Sequence, residues 1–268
     1  MRPIVLIGAG RMGQALLAGW TQRGIGPLIA VEPSPSNELK RFAKKHHVAL
    51  FARADSIDTV RAAACVVALK PQVLQNEAAK LRALADSGAV MISIAAGTNT
   101  ATLKKAWGAK ARIVRAMPNT PGAIGRGISA LYAAKGAGAK DKALAGRLLS
   151  ALGQTLWAKH ESDIDVVTAV SGSGPAYVFL LVEALAEAGM AEGLPQAMAQ
   201  TLARATIAGS GALLDAVPAS AATLRRNVTS PGGTTEAALH VLLARHGLSP
   251  LLRRAVAAAR RRARELSR

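Results

Sequence analysis

The sequence is poor in cysteine and in aromatic residues, and both shortages limit what the protein can be. Its one cysteine, Cys65, cannot form an intramolecular disulfide, which favours a reducing compartment such as the cytoplasm. Aromatic residues make up 3% of the chain although 50% of it is hydrophobic, so the core has to be built from Ala, Val, Leu and Ile.

Long uncharged apolar runs are also missing. The longest, residues 176–190, is shorter than the ~20 residues that a membrane helix needs and is interrupted by Glu183 and Glu187. The residues that follow Met1 lack the hydrophobic region of a signal peptide. We therefore expect a cytoplasmic protein that does not bind a membrane.

Acidic residues are outnumbered: 16 of them against 34 lysines and arginines give a formal charge of +18. Such an excess is typical of some nucleic-acid binders. The dense basic stretch, residues 253–264, has no interleaved aromatic residues, so a solvated face is the preferred interpretation and no nucleic-acid partner is expected. The five histidines lack the cysteine or carboxylate framework of a zinc site, so no metal is expected.

The order of apolar patterns divides the 268 residues into an α/β part and an all-helical part. In the first 160 residues, buried strands alternate with helices, which predicts a doubly wound, mainly parallel sheet, the Rossmann architecture. The strands are predicted at residues 4–7, 28–31, 65–69, 89–94 and 113–116, with edge strands at 129–133 and 155–158, and the helices at 12–22, 37–45, 72–84, 100–107 and 141–152.

Residues 161–268 have no strand pattern and predict an all-α domain rich in small apolar residues. A helical domain of this composition often completes its core against a second copy, so we expect at least a dimer. Its helices are predicted at residues 163–170, 175–192, 195–214, 219–225, 234–245 and 250–266.

A glycine motif, Gly8-Ala9-Gly10-Arg11-Met12-Gly13, follows the first strand directly and begins a helix. The first glycine permits the tight turn, the second lets the backbone approach a pyrophosphate, and the third lets helix and strand pack closely. The N–H groups at the helix start would then bind the phosphates. This context favours a dinucleotide site over a purely structural glycine turn.

Glu32 ends the second strand, about 20 residues after the glycine motif, where an acid usually accepts hydrogen bonds from the ribose hydroxyls of NAD. However, Ser34, Ser36, Asn37 and Arg41 follow closely and could hold the 2′-phosphate of NADP. The choice between NADPH and NADH stays open.

Two further strand ends are expected at the same crevice, because the carboxyl ends of parallel strands meet at one edge of the sheet. They are Ala68-Leu69-Lys70-Pro71-Gln72 and Ser93-Ile94-Ala95-Ala96-Gly97-Thr98. Lys70 is either a cation near the phosphates or the substrate carboxylate, or a solvated lysine at a helix start.

The helical half contains a glycine- and hydroxyl-rich segment, Thr229-Ser230-Pro231-Gly232-Gly233-Thr234-Thr235-Glu236, just before a predicted helix. Exposed backbone, three hydroxyls and a helix N-terminus would form a compact pocket for one carboxylate. An ordinary capped helix start has the same composition, so the spacing alone does not decide between them.

Several segments together resemble the pyrroline-5-carboxylate reductase family, in order from about residue 3 to residue 265. They are the glycine motif, residues 67–72 and 93–98, Arg115-Ala116-Met117-Pro118-Asn119-Thr120-Pro121, Val170-Ser171-Gly172-Ser173-Gly174-Pro175-Ala176-Tyr177, and residues 224–239, which look like the family's signature.

The resemblance implies a Rossmann domain followed by a helical domain that interlocks with its partner in a homodimer, with pentamers of dimers in many members. It implies hydride transfer from NADPH or NADH to the cyclic imine pyrroline-5-carboxylate, giving proline. Gly233, Thr234 and Thr235, with Ser230 and Gly232, would hold the substrate carboxylate, in an active site where one subunit's cofactor meets the other subunit's helical segment.

The resemblance also implies roles for single residues. The Thr235 hydroxyl would lie near the imine nitrogen, while Asn119, Pro118 and the turn at residues 95–97 would border the nicotinamide and its ribose. Asp55 stands where the family often has an asparagine that reaches the adenine-side ribose. Together with Glu32, this acid would disfavour a 2′-phosphate.

Two other functions are considered. A β-hydroxyacid-type dehydrogenase has a similar two-domain plan but places a catalytic lysine in the second domain, whereas the last lysine here is Lys159. A nucleotide-binding regulatory or nucleic-acid-associated protein without catalysis is supported only by the charge of +18.

Overall fold

The structure is a computed structural model that describes residues 1–266, and it divides them into two compact units. The first unit comprises Met1–Gly172 and the chain from Ala259 onward, and the second comprises Ser173–Ala258. The first unit extends beyond residue 160 because the helix Asp163–Val167 packs against two strands of the sheet. The domain boundary at residue 160 stays a prediction.

An eight-stranded sheet with the order β3-β2-β1-β4-β5-β6-β7-β8 forms the centre of the first unit. Strands β1 to β6 are parallel to one another, β7 is antiparallel to β6, and β8 is parallel to β7. The strands are β1 Ile4–Ile7, β2 Leu28–Val31, β3 Ala49–Phe51, β4 Ala64–Val67, β5 Val90–Ser93, β6 Arg112–Met117, β7 Gly127–Ala133 and β8 Gly153–Trp157. The predicted mainly parallel, doubly wound sheet is confirmed.

The remaining chain is largely helical, and the prediction of an all-helical second part is confirmed. The helices are α1 Arg11–Gln22, α2 Asn37–Lys45, α3 Pro71–Glu77, α4 Arg82–Asp86, α5 Thr100–Trp107, α6 Ala139–Leu149, α7 Asp163–Val167, α8 Gly174–Ala191, α9 Gln196–Ala216, α10 Ala221–Asn227, α11 Thr234–Leu242 and α12 Leu248–Leu266.

The helix predicted over residues 72–84 is interrupted in the structure. Between α3 and α4 the chain forms a 3₁₀ turn, Ala78–Leu81, in which the N–H of Arg82 donates to Ala79. The carbonyl of Ala78 instead accepts a hydrogen bond of 3.0 Å from the indole N–H of Trp107. The contact with Trp107 therefore occupies a carbonyl that would accept from the N–H of Arg82 in a continuous α-helix.

The two faces of the sheet build two separate hydrophobic cores. Successive residues of a strand point to opposite faces, so Ile4 and Leu6 of β1 belong to one core while Val5 and Ile7 belong to the other. The first core contains Trp20 and side chains of α1, α2 and α6, and the second contains Trp107 and side chains of α3, α4 and α5. Helices thus cover both faces, as a doubly wound fold requires.

The second unit buries little in its own hydrophobic core. Among the residues that the structure describes, its buried cluster consists of Ala186, Ala199 and Ala203. Large apolar side chains of α8, such as Phe179 and Leu180, are exposed to 61% and 63%. An exposed apolar face of this size is typical of a protein–protein interaction surface.

Within residues 1–266, one helical run is long and apolar enough to cross a membrane by length and composition alone. It spans Asp163–Ala191, 29 residues, so the argument that the apolar stretch is too short for a span does not hold for the whole run. The exposed Glu183 and Glu187 still interrupt it. Length and composition are weak support for a membrane span, because the core helix of a globular protein meets the same test.

Candidate active site

The glycine motif forms a tight turn between β1 and α1. Gly8 adopts a positive φ of 87°, and its N–H donates to the carbonyl of Val31 at 2.9 Å. A Cβ on Gly8 would lie 2.8 Å from Leu69 Cδ2 and 2.9 Å from the carbonyl oxygen of Ala68. The turn therefore requires glycine, and it packs directly against the end of β4.

The other two glycines of the motif have different surroundings. A Cβ on Gly13 would lie 2.2 Å from the carbonyl oxygen of Gly8, whereas a Cβ on Gly10 would meet no atom within 4 Å. Gly10 is also the N-cap of α1 and provides no side-chain cap. The protein thus leaves space and helix N–H groups beside Gly10, as an approaching pyrophosphate needs.

A cleft of about 590 Å³ lies at the carboxyl ends of β1, β2 and β4, where the order of the sheet reverses on either side of β1. Ligands of doubly wound folds bind at this place. The structure brings seven of the predicted cofactor residues together in its lining: Gly8, Gly10, Glu32, Asp55, Ala68, Leu69 and Lys70.

The other predicted cofactor residues lie after β2, β5 and β6 or in the first turns of α1 and α3. Arg11, Met12 and Gly13 are in the first turn of α1, Ser34 is in the loop before α2, Pro71 is the first residue of α3, Ala95, Ala96 and Gly97 follow β5, and Asn119 follows β6. Met12 also packs against the first core.

Glu32 is held in place by two backbone N–H groups. Its Oε2 accepts from Ala9 at 2.9 Å, and its Oε1 accepts from Ser34 at 3.2 Å. The carboxylate therefore bridges the glycine motif and the loop after β2.

Some of the residues that could hold a 2′-phosphate already make hydrogen bonds within the protein. Ser36 is the N-cap of α2, and its hydroxyl accepts a hydrogen bond of 3.1 Å from the N–H of Leu39. Asn37 and Arg41 are exposed on α2.

Arg53 is a cleft residue that the sequence analysis missed. It follows β3, a strand of three residues that was not predicted, and lines the cleft beside Asp55. The guanidinium of Arg53 contacts the carboxylate of Asp55 at 2.5 Å, and this hydrogen bond lowers the pKa of Asp55. The basic residue two positions before Asp55 was the available signal.

Charges around the cleft are balanced. Its lining contains the acids Glu32, Asp55 and Glu77 and the bases Arg53, Lys70 and Lys80. Arg53 pairs with Asp55, and Lys80 pairs with Glu77 at 2.8 Å. Lys70 is exposed at the N-cap of α3 and makes no salt bridge among the residues described.

The turn after β5 and the segment after β6 are both fixed by neighbouring chain. Gly97 has a φ of 69°, and a Cβ there would lie 2.8 Å from Cβ of Leu266 in α12. The side-chain oxygen of Asn119 accepts a hydrogen bond of 2.9 Å from the N–H of Ile128. Both segments lie at the carboxyl edge of the parallel strands, on the side of β6 rather than of β2.

A buried charge network that no sequence pattern indicated holds α7 and the chain just before it. Arg115 of β6 is 2% exposed and contacts Glu161 and Asp165, each at 3.3 Å. Glu161 also accepts hydrogen bonds of 2.6 Å from the N–H and the hydroxyl of Thr100. The network therefore connects β6 with the start of α5, next to the two segments predicted to border the nicotinamide.

In the second unit, residues 229–236 form a turn that begins α11. Gly232 has a φ of 69°, its N–H donates to Glu236 Oε2 at 2.7 Å, and the N–H of Gly233 donates to the carbonyl of Ser230 at 3.0 Å. Both glycine N–H groups are thus already used within the turn. A Cβ on Gly233 would lie 2.3 Å from Ser230 Oγ, which explains the glycine there.

Free donors of this turn come from the residues that follow the glycines. Thr234 and Thr235 are the first two residues of α11, which has no side-chain cap. In the described chain, neither hydroxyl makes a hydrogen bond, and the N–H groups of a first helical turn have no partner within the helix. An anion with several acceptor oxygens fits this arrangement.

Comparison with known proteins connects both units to one family. Residues 3–97 match a family model described as NADP oxidoreductase, coenzyme F420-dependent, and residues 161–266 match one described as pyrroline-5-carboxylate reductase dimerisation. The pyrroline-5-carboxylate reductase of Pseudomonas aeruginosa is 38% identical over 265 residues, 98% of this chain and 96% of that protein. The chain belongs to the pyrroline-5-carboxylate reductase family.

Other relatives agree with this assignment, and the family predicted from the motifs is confirmed. The pyrroline-5-carboxylate reductase of Pisum sativum is 36% identical over 97% of this chain and 94% of that protein. The structure of a pyrroline-5-carboxylate reductase from Coxiella burnetii has 34% identity and a TM-score of 0.91, covering 100% and 99% of the two chains. A Plasmodium falciparum pyrroline carboxylate reductase with NADP bound has 28% identity and a TM-score of 0.84, covering 100% and 98%.

Proposed function

We propose that this chain reduces pyrroline-5-carboxylate to proline with NADPH or NADH, the last step of proline biosynthesis. The observation that carries this proposal is the relation to pyrroline-5-carboxylate reductases over almost the whole length of both chains. The open, side-chain-free surface at Gly10 fits a pyrophosphate, and the uncapped start of α11 fits a carboxylate. A β-hydroxyacid dehydrogenase and a non-catalytic regulator are not supported by these relations.

The first unit would bind and orient the cofactor. Gly8, Gly10 and the start of α1 would hold the pyrophosphate, Glu32 the adenine-side ribose, and residues 95–97 with Asn119 the nicotinamide side. Lys70 would place its positive charge near the phosphates or the substrate carboxylate. When bound, the reduced nicotinamide supplies the hydride that is added to the C=N carbon.

The turn before α11 would bind the substrate. The N–H groups and hydroxyls of Thr234 and Thr235 would hold the carboxylate and so orient the ring for hydride addition. The Thr235 hydroxyl would form a hydrogen bond with the ring nitrogen, which gains a proton as its double bond to carbon is lost. It acts as a hydrogen-bonding partner rather than an acid, because a threonine hydroxyl does not ionise in the physiological range.

Replacing Thr235 by alanine is expected to lower kcat by about tenfold to a hundredfold without abolishing turnover, since one hydrogen bond in the transition state is lost. The measurement is the oxidation of NADPH and of NADH that depends on added pyrroline-5-carboxylate. Thr102→Ala, an exposed threonine of α5, is the matched control and should behave as the wild type. Unchanged kcat and KM in the Thr235 variant would refute the assigned role.

We further propose that the exposed apolar face of α8 is covered in a homodimer, in agreement with the match of residues 161–266 to a dimerisation domain. The resemblance to the family further implies a pentamer of such dimers, and we propose this as the larger assembly. Light scattering coupled to gel filtration should therefore give an even multiple of 27.5 kDa. A monomer at micromolar concentration would contradict the proposal. With α8 covered in this way, a cytoplasmic location is the one we propose.

A further inference from the structure

The cleft at β1, β2 and β4 contains a fixed carboxylate where a dinucleotide places its adenine-side ribose. In doubly wound folds the pyrophosphate lies at the glycine motif, and the adjoining ribose lies beyond the end of the second strand. Glu32 directly follows β2 and is bonded to Ala9 inside the glycine motif at 2.9 Å. We propose that Glu32 makes this reductase selective for NADH over NADPH, an inference that rests on the proposed function.

Glu32 keeps acceptor capacity for the ribose. A carboxylate has about four lone-pair sites, and the N–H groups of Ala9 and Ser34 occupy one on each oxygen. The remaining sites suit the two hydroxyls of an unmodified ribose, which are donors. A 2′-phosphate is an acceptor with a charge near −2, and it would meet the carboxylate with like charge and no proton to share.

The surrounding cations could offset that repulsion only by giving up the carboxylates that they already contact. Arg53 is already paired with Asp55, and Lys80 is already paired with Glu77. Lys70, which makes no salt bridge within residues 1–266, lies between the end of β4 and α3, on the other side of β1 from β2. The N–H of Ser34, which could otherwise donate to a phosphate, donates to Glu32.

Arg53 is the group that a 2′-phosphate could recruit. Its side chain is 76% exposed, so it has room to turn once Asp55 no longer holds it. Two substitutions therefore test different parts of the inference. Glu32→Gln removes the repelling charge, and Asp55→Asn releases the guanidinium.

The deciding measurement is the dissociation constant of each reduced dinucleotide, obtained by fluorescence titration in the absence of substrate. Wild type should bind NADH at least about tenfold more tightly than NADPH, because the 2′-phosphate would lie against the Glu32 carboxylate with like charge. Glu32→Gln should reduce this ratio by about tenfold, and Asp55→Asn should also reduce it, by tightening NADPH binding more than it changes NADH binding.

Glu38→Gln is the matched control, because Glu38 is an exposed acid in the first turn of α2 and does not line the cleft. It should leave the ratio unchanged. Thermal unfolding of each variant shows whether the fold is kept, and Asp55→Asn tests the inference even if Glu32→Gln unfolds. Equal or tighter binding of NADPH by the wild type would overturn the inference, as would an unaltered ratio in both cleft variants.

A parallel assay of pyrroline-5-carboxylate reduction with each dinucleotide separates this inference from the proposed function. Selective NADH binding without turnover on the imine would leave the inference in place and remove the proposed function. Turnover on the imine, with NADPH favoured over NADH in both the binding and the reduction assay, would support the proposed function and overturn the inference.

Discussion

Replacing Arg115 by methionine is expected to lower the free energy of unfolding of the first unit by about 3–5 kcal/mol. The guanidinium is 3% exposed and contacts Glu161 and Asp165, whose side chains are 25% and 11% exposed. Without it, two largely buried carboxylates lose their countercharge, and that cost exceeds what a well-packed methionine regains. Chemical denaturation monitored by circular dichroism measures the change.

Arg82→Met is the matched control for this prediction. Arg82 pairs with Asp86 at 3.4 Å, but both side chains are more than half exposed, so the loss should stay below about 0.5 kcal/mol. The double variant Arg115→Met with Asp165→Asn should be less destabilised than Arg115→Met alone, because one uncompensated charge has been removed. A loss at Arg115 no larger than at Arg82 would show that the network contributes little.

Replacement of Gly10 and of Gly13 by alanine is expected to have different effects on stability, although both should weaken cofactor binding. Gly13→Ala should destabilise the fold by about 1–3 kcal/mol or more and also weaken cofactor binding, because its Cβ would lie 2.2 Å from the carbonyl oxygen of Gly8. Gly10→Ala should lower the melting temperature much less than Gly13→Ala does, since a Cβ there meets no protein atom within 4 Å and only the N-cap preference for glycine is lost.

Gly10→Ala should nevertheless weaken binding of the reduced dinucleotide by at least about tenfold, because the new methyl group occupies the approach of the pyrophosphate. Differential scanning fluorimetry and dinucleotide titration on the same preparations separate the two effects. Gly24→Ala is not a suitable control because Gly24 has a positive φ, whereas Gly146→Ala in α6 is suitable: its Cβ meets nothing within 4 Å. Wild-type affinity in Gly10→Ala would contradict the assigned phosphate site.

The local pattern of the sequence was sufficient to predict the bounds of the strands and helices that have strong periodicity. The strands Ile4–Ile7 and Leu28–Val31 and the helices Asn37–Lys45 and Thr100–Trp107 have the predicted bounds, because buried parallel strands and capped amphipathic helices leave signals within a few residues. β3 was missed since three half-exposed residues leave no such signal. The reversed direction of β7 was likewise not predicted, because strand direction depends on the connection rather than on the strand itself.

In the candidate site, too, local features were predicted from the sequence and contacts between distant residues were not. The glycine motif, Glu32 and the turn before α11 were found from the sequence because each is contiguous and its chemistry depends on neighbouring residues. Arg53 and the network of Arg115, Glu161 and Thr100 were not found, because their partners are identified only by distance in space. Glu161 lies 61 residues from Thr100 and 46 residues from Arg115 along the chain.

By itself, the sequence determined the class of fold, the family and the segments that we propose bind phosphate and carboxylate, since periodicity, glycine spacing and helix starts are local properties. Only the tertiary structure decided which charges in the cleft are already neutralised, which N–H groups of the α11 turn remain free, and how Glu32 is anchored. These depend on hydrogen bonds and ion pairs between separate elements, and folding brings those elements together through burial of apolar surface, which specifies no particular polar partner.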